Sequence, residues 1–319
     1  MASIPTRVAG SRGGGVTGER SPCHPATLPP RHPRWSRSRT ARAAKSFAFG
    51  LLALVVCVVT VFPIYWMIVT TVRPTSLNLR YPPAFLPTEI DLTAFAQLFA
   101  EEAIGRWIFN STLLAIIATV ICIGLAIFGA YALSILRWRG RTPFSIFLLM
   151  TQMLPEALII VPIFAIYRSM TERGIPLRES LPGLALIDAA FILPIGIWIL
   201  KNMFDSVPTE VREAALVDGA GPFRVLFQIV LPLTLPGLVA VGVVAFFYAW
   251  NEYLFAQTMI TRADIKPASV GLASMITMLD TPLERLLAAG LVFAILPVVF
   301  YAVMQRYIVA GITAGAVKG

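Results

Sequence analysis

The 319-residue chain is short of the side chains that carry most metal and nucleophilic chemistry. Its only two histidines, His24 and His32, both lie in the first 32 residues. No His-based triad and no His metal site can be built from the remainder. The three cysteines, Cys23, Cys57 and Cys122, match no metal-ligand spacing. Two of them sit in apolar runs, so they read as small packing residues rather than a disulfide framework. The four lysines, Lys45, Lys201, Lys266 and Lys318, never follow glycine. The phosphate-cradling loop that ends in Gly-Lys-Ser/Thr is therefore absent, and the chain cannot hydrolyse ATP by that route. Charge is the broadest shortage: 13% of residues are charged, against about 25% in a typical soluble domain.

Apolar residues fill the space, at 57% of the chain. No charged residue falls between Lys45 and Arg73, Arg106 and Arg137, Arg224 and Glu252, or Arg285 and Arg306. A bilayer-spanning helix needs about 20 apolar residues. Six spans are expected, near 47–71, 108–136, 144–168, 183–203, 236–261 and 286–306. A soluble all-α bundle would need a polar face on every helix, and the first two runs have none. The expected fold class is therefore an all-α membrane protein with six transmembrane helices. Residues 1–46 form a tail, 47–319 a six-span domain with its core near 108–310, and 204–235 a polar loop between spans four and five.

The tail holds eight arginines and Lys45 against one acid, Glu19, and is rich in Pro, Ser and Gly. It cannot bury enough apolar surface to fold and is expected to be disordered. It is not a signal peptide, because the apolar stretch after it far exceeds the ~7–15 residues of such a segment. A basic tail beside a bilayer can lean on anionic lipid heads. Nucleic-acid binding is not implied, since no aromatic interleaving or binding motif accompanies the charge. The positive-inside rule places the tail in the cytoplasm. With six spans the 204–235 loop and the C-terminus follow it there. Without the tail, inner and outer segments carry nearly equal numbers of basic residues, so the orientation rests on the tail and on Arg137, Arg139 and Arg141.

The polar loop is the most patterned segment. Pro208 suits a first helical position, and Gly219 suits a helix stop near Val217. Pro222 can open a second helix, with Phe223, Leu226, Phe227 and Val230 on one face. Glu213, Ala214, Ala215, Asp218, Gly219 and Ala220 then form a helical corner with small residues and one carboxylate handle. Such a corner is suited to being grasped by another protein.

From Glu213 to Leu238 the string EAALVDGAGPFRVLFQIVLPLTLPGL resembles, without gaps, the cytoplasmic "EAA" loop of permease subunits of binding-protein-dependent ABC importers. The C-terminal QRYIV, followed by GITAGAVKG, resembles the MalG-type subunit of the carbohydrate branch. The resemblance covers roughly 63–319. It implies the type I (MetI-like) permease architecture and import of a di- or oligosaccharide or related sugar. It also implies a homologous second permease, two ABC ATPase subunits and an extracellular solute-binding protein. ATP and Mg would bind the partner ATPase, with no cofactor, metal or catalytic residue on this chain. The loop residues would dock the ATPase, and Thr313, Gly315, Lys318 and Gly319 would contact it from the C-terminus. A stand-alone secondary transporter or channel is the alternative, but no matched pair of broken helices is visible.

Acids at membrane depth are costly and usually face a bundle interior or a water cavity. Glu156 follows Pro155 in the third run and Asp188 lies in the fourth. Trp250, Asn251 and Glu252 sit near one end of the fifth, and the family often carries a similar Trp-Asn-Glu string there. These residues are candidates for a polar translocation path. Hydrogen bonding between helices is the other reading of the same positions. The 73–106 loop, with Pro74, Pro82, Pro83 and Pro87, should hold a short surface helix around Leu92–Phe99.

Overall fold

A computed structural model describes residues 39–78, 85–136, 138–277 and 283–316. It divides into two compact units, 1–58 and 59–319. Residues 1–38 of the predicted tail lie outside the described residues.

Helix α1 (Arg39–Thr71) runs back past the hydropathy boundary at 47. The 39–45 stretch Arg-Thr-Ala-Arg-Ala-Ala-Lys contains good helix formers that a hydropathy window does not score. Two short helices follow, α2 (Thr75–Asn78) and α3 (Thr93–Glu101). Helix α3 is the predicted surface helix, and it seats Leu98 with 0% exposure.

The centre of the second unit is built from α4 (Ile104–Ser134), α7 (Leu181–Asp205) and α11 (Leu235–Trp250). Ala115, Ala118, Cys122, Ala126 and Ala130 form a fully buried stripe of small residues along α4. Gly196 of α7 packs there between Cys122, Ala126 and Val241. Small residues let helix backbones approach closely, which drives association where no water is left to expel.

Two of the six expected spans are broken. The 144–168 run is split into α5 (Arg141–Thr151) and α6 (Glu156–Glu172), bent by 96°. Pro155 causes the break: it starts α6 with an extended ψ of 127°, and it biases the residue before it away from helix. The docking loop comprises α8 (Thr209–Val217), α9 (Pro222–Val225), a π-turn at Leu226–Val230 and α10 (Leu231–Leu233). It meets α11 at an 80° bend near Thr234. Helix α11 ends at Trp250, so the 236–261 run is not one helix. The chain continues as α12 (Leu254–Met259), a 3₁₀ turn at Ala263–Ile265 and α13 (Ala268–Ser274). Helix α14 (Leu283–Ala316) closes the described chain.

Four helices are long and apolar enough to cross a bilayer alone, and six crossings result if each bent pair counts as one. No strand occurs among the described residues.

Candidate functional site

The docking loop is a helical corner. Helix α8 begins after Pro208, whose extended ψ of 136° makes it the cap rather than the first helical residue expected from sequence. It ends in a Schellman motif. The N–H of Ala220 donates to the Ala215 carbonyl at 2.9 Å and the N–H of Gly219 to Leu216 at 3.1 Å. Gly219 supplies the required left-handed backbone, φ +81°. Glu213, Ala214, Asp218 and Gly219 are exposed, and Ala215 and Ala220 are half-buried against the core. Glu213 makes no ion pair among the described residues.

The predicted face of the second helix is divided in two. Leu226 and Val230 are buried, with Val225 beside them, whereas Phe223 and Phe227 are exposed. The π-turn at 226–230 closes i→i+5 and rotates the side chains out of the 3.6-residue phase. Phe223 joins Leu216 and Val217 among the exposed apolar residues of this corner. The Tyr131 hydroxyl donates to the Pro222 carbonyl at 3.2 Å and ties the corner to α4.

The expected C-terminal contact residues divide likewise. Thr313 and Gly315 lie on the backbone of α14, which continues ten residues past the expected end of the span at 306. Lys318 and Gly319 lie outside the described residues.

The residues at membrane depth have distinct surroundings. Glu156, in the first turn of α6, accepts from the Tyr248 hydroxyl at 2.5 Å. Asp188 is fully buried, and neither carboxylate oxygen has a hydrogen-bond partner among the described residues. Glu252 is buried, and its Oε1 accepts from the backbone N–H of Phe255 at 2.5 Å and Ala256 at 3.2 Å. It therefore caps α12. Trp250 is buried between the rings of Phe246 and Phe293, at centroid distances of 5.9 and 5.0 Å. Asn251 is exposed, and its Nδ2 donates to Phe247 at 2.8 Å. Of the Trp-Asn-Glu string, only Asn251 faces open space in this conformation.

Sequence reasoning did not find the tethers that hold the segment from Tyr253 to Ile276, at the end of α11 remote from the docking corner. Asn110 of α4 donates to the carbonyls of Asp264 and Lys266 at 3.1 and 3.0 Å. Ser111 accepts from the N–H of Ala268 at 2.8 Å and so caps α13. Gly271 lies against the Trp107 ring too closely for any side chain. Glu179 accepts from the N–H groups of Thr261 at 3.0 Å and Arg262 at 3.2 Å. Burial opposes ionisation of Glu179, but these hydrogen bonds and Arg178 outweigh it and hold the carboxyl below its usual range. Glu179 does this from a φ of +54°, the one positive φ at a non-glycine position among the described residues. Such a conformation persists only where its surroundings over-determine it. Only the polar character of Asn110 and Ser111 at the start of an apolar run hinted at these roles.

Comparison with known proteins agrees with this architecture. Residues 122–313 match the family of binding-protein-dependent transport system inner membrane components. The chain is 33% identical over 264 residues to the inner membrane ABC transporter permease protein YcjP of Escherichia coli (strain K12), covering 82% of this chain and 92% of that one. It is 31% identical over 270 residues to the diacetylchitobiose uptake system permease protein DasC of Streptomyces coelicolor, covering 85% and 96%. It is 29% identical over 279 residues to the trehalose transport system permease protein SugB of Mycobacterium tuberculosis, covering 87% and 99%. In fold it is similar to the crystal structure of a bacterial ABC transporter involved in import of the polysaccharide alginate. That match has a TM-score of 0.72 at 23% identity, over 85% of this chain and 98% of that one. The chain is a multi-pass membrane protein of the binding-protein-dependent transport system inner membrane component family, a transport subunit and not an enzyme.

Proposed function

We propose that this chain is one permease subunit of an ATP-driven importer that carries a di- or oligosaccharide, or a related sugar, across the cell membrane. The observation that carries the coupling is the exposed corner at Glu213–Ala220, closed by its Schellman turn. A folded, half-detached corner with an unpaired carboxylate and exposed apolar side chains is suited to seat in the cleft of another protein. That partner is an ABC ATPase dimer, which holds ATP and Mg. A second, homologous permease completes the path, and an extracellular binding protein delivers the sugar. Both termini are cytoplasmic, and the basic tail rests on lipid. Thr313, Gly315, Lys318 and Gly319 contact the ATPase pair. A stand-alone transporter would leave this corner without a partner.

The sugar class is supported by relatives whose names specify diacetylchitobiose and trehalose. Nucleotide-driven closure of the ATPase dimer moves the corner as a lever. The lever is stiff, because Val225, Leu226 and Val230 are rooted in the core with α4 and α7. That is rigid-body coupling through a docked element. Within the membrane, Asn251 borders the path, while Glu252, Trp250 and Glu156 hold the surrounding helices in place. The test is purification from native membrane of the wild type and Glu213→Ala. The wild type should bring an ATPase and a binding protein, and the variant should lose most of the ATPase. Purification of the wild type alone would overturn the proposal.

A further inference from the structure

We propose that the tethered segment after α11 carries a subsite for one glycosyl unit of the transported sugar; this rests on the sugar-import reading. A cavity of about 250 Å³ opens there, between α12 and α13. Its polar lining is Tyr253, Gln257, Thr261, Lys266 and Ser274, over an apolar floor that includes the buried Val270.

The hydrogen-bonding capacity of this lining is largely unspent. The Tyr253 hydroxyl, the Gln257 amide and the Lys266 ammonium make no side-chain hydrogen bond or ion pair among the described residues. Ser274 donates to Gly271 at 2.6 Å and keeps its acceptor capacity. Thr261 donates to Glu179 and keeps the same. A sugar ring offers hydroxyls that both donate and accept, and an apolar C–H face. An amide, an ammonium and free hydroxyl oxygens meet the first, and the 44% exposed Tyr253 ring can meet the second.

Size narrows the ligand. Sites that enclose a drug-sized molecule measure roughly 300–1,000 Å³. This smaller cavity fits a single ring, the end unit of a longer sugar. Charge narrows it further, because Lys266 is the one charged side chain of the lining and disfavours amino sugars. The cavity is also held in shape. Asn110 fixes the Lys266 carbonyl, Ser111 starts α13, Glu252 starts α12 and Glu179 anchors Thr261. Donors held in place before binding cost less to order.

The test uses the full transport complex in membrane vesicles, without binding protein, with Cys23, Cys57 and Cys122 replaced by alanine. A panel of radiolabelled trehalose, maltose and diacetylchitobiose, taken up by cells, first identifies the carried sugar. Gln257→Cys and Ser274→Cys are then labelled with a charged methanethiosulfonate. At ten times its half-saturating concentration the carried sugar should slow both reactions about tenfold. Labelling of Phe99→Cys on α3 should not change. Tyr253→Trp should keep uptake and Tyr253→Ala should lose it. Equal labelling with and without sugar, for variants that still support uptake by cells holding the binding protein, overturns the subsite alone. Failure of the wild type to carry any sugar overturns the transport reading, and the subsite with it.

Discussion

Replacing Glu252 separates a residue that lines a path from one that shapes it. Its Oε1 serves two buried N–H groups, those of Phe255 and Ala256. Its own carbonyl accepts from the hydroxyl of Ser269 in α13. Glu252→Ala strips the acceptor from both donors. Leaving a buried donor unsatisfied costs about 1–3 kcal/mol, and with the lower ~1–2 kcal/mol for each of these two adjacent donors the pair should lose roughly 2–4 kcal/mol of local stability. Glu252→Gln keeps an acceptor oxygen at the same reach for both N–H groups, and should lose about 1 kcal/mol. Each 1.4 kcal/mol is a factor of ten, so amides exchanging by local opening of 253–260 should exchange about 30- to 1,000-fold faster in the alanine variant. The glutamine variant should exchange only about fivefold faster. Hydrogen exchange on the purified complex, read by mass spectrometry, measures both, and uptake should follow the same order. Unchanged exchange in Glu252→Ala together with lost transport would refute the capping role and return Glu252 to the path.

Gly219→Val meets no neighbouring atom but forces a β-branched residue to φ +81°. It should cost about 1–2 kcal/mol and uncouple uptake while insertion persists; Gly219→Asn, which tolerates that backbone, should retain most transport. Asp188→Leu removes two buried oxygens that have no hydrogen-bond partner among the described residues and should stabilise the detergent-solubilised chain by about 1–3 kcal/mol, seen as a higher unfolding temperature; a lower one would show that Asp188 has a partner. The Glu179 carboxyl titrates below its ordinary value of 4.5, so its tether is fully present above that pH and lost as pH falls through the lower folded value. Protection of the Thr261 and Arg262 amides, taken relative to their intrinsic exchange rates at each pH, should therefore fall under acid, and a Glu179→Gln background should remove that pH dependence. Removing residues 313–319 should leave insertion intact and lower ATPase coupling, and full coupled transport by the truncated complex would show the segment to be dispensable.

Much of this architecture was legible because its causes are local. Charge-free runs mark four spans, and the Pro208, Gly219 and Pro222 signals mark the docking corner to within a residue. The breaks at 152–155 and after Trp250 were not read, because hydropathy averages over a bend, whereas the bend near Thr234 falls at the expected boundary between the loop and the fifth span. The Phe223 and Phe227 face was misjudged because a π-turn leaves no periodic trace. The grip of Glu179 on Thr261 was illegible for another reason: it joins positions 82 residues apart, which only the packing of α7 beside the α12–α13 segment brings together. The acids at 156, 188 and 252 were visible as anomalies of cost, but cost alone does not say whether a carboxylate faces a path, a hydroxyl or a helix end.

Reconstitution tests the central claim most directly. The chain is placed in proteoliposomes with its second permease, ATPase subunits and binding protein, and entry of radiolabelled sugar is followed with and without ATP. Sugar should accumulate only with ATP and binding protein present, and Glu213→Ala should abolish accumulation while leaving the liposomes sealed. Accumulation by this chain alone, or without ATP, would contradict the account.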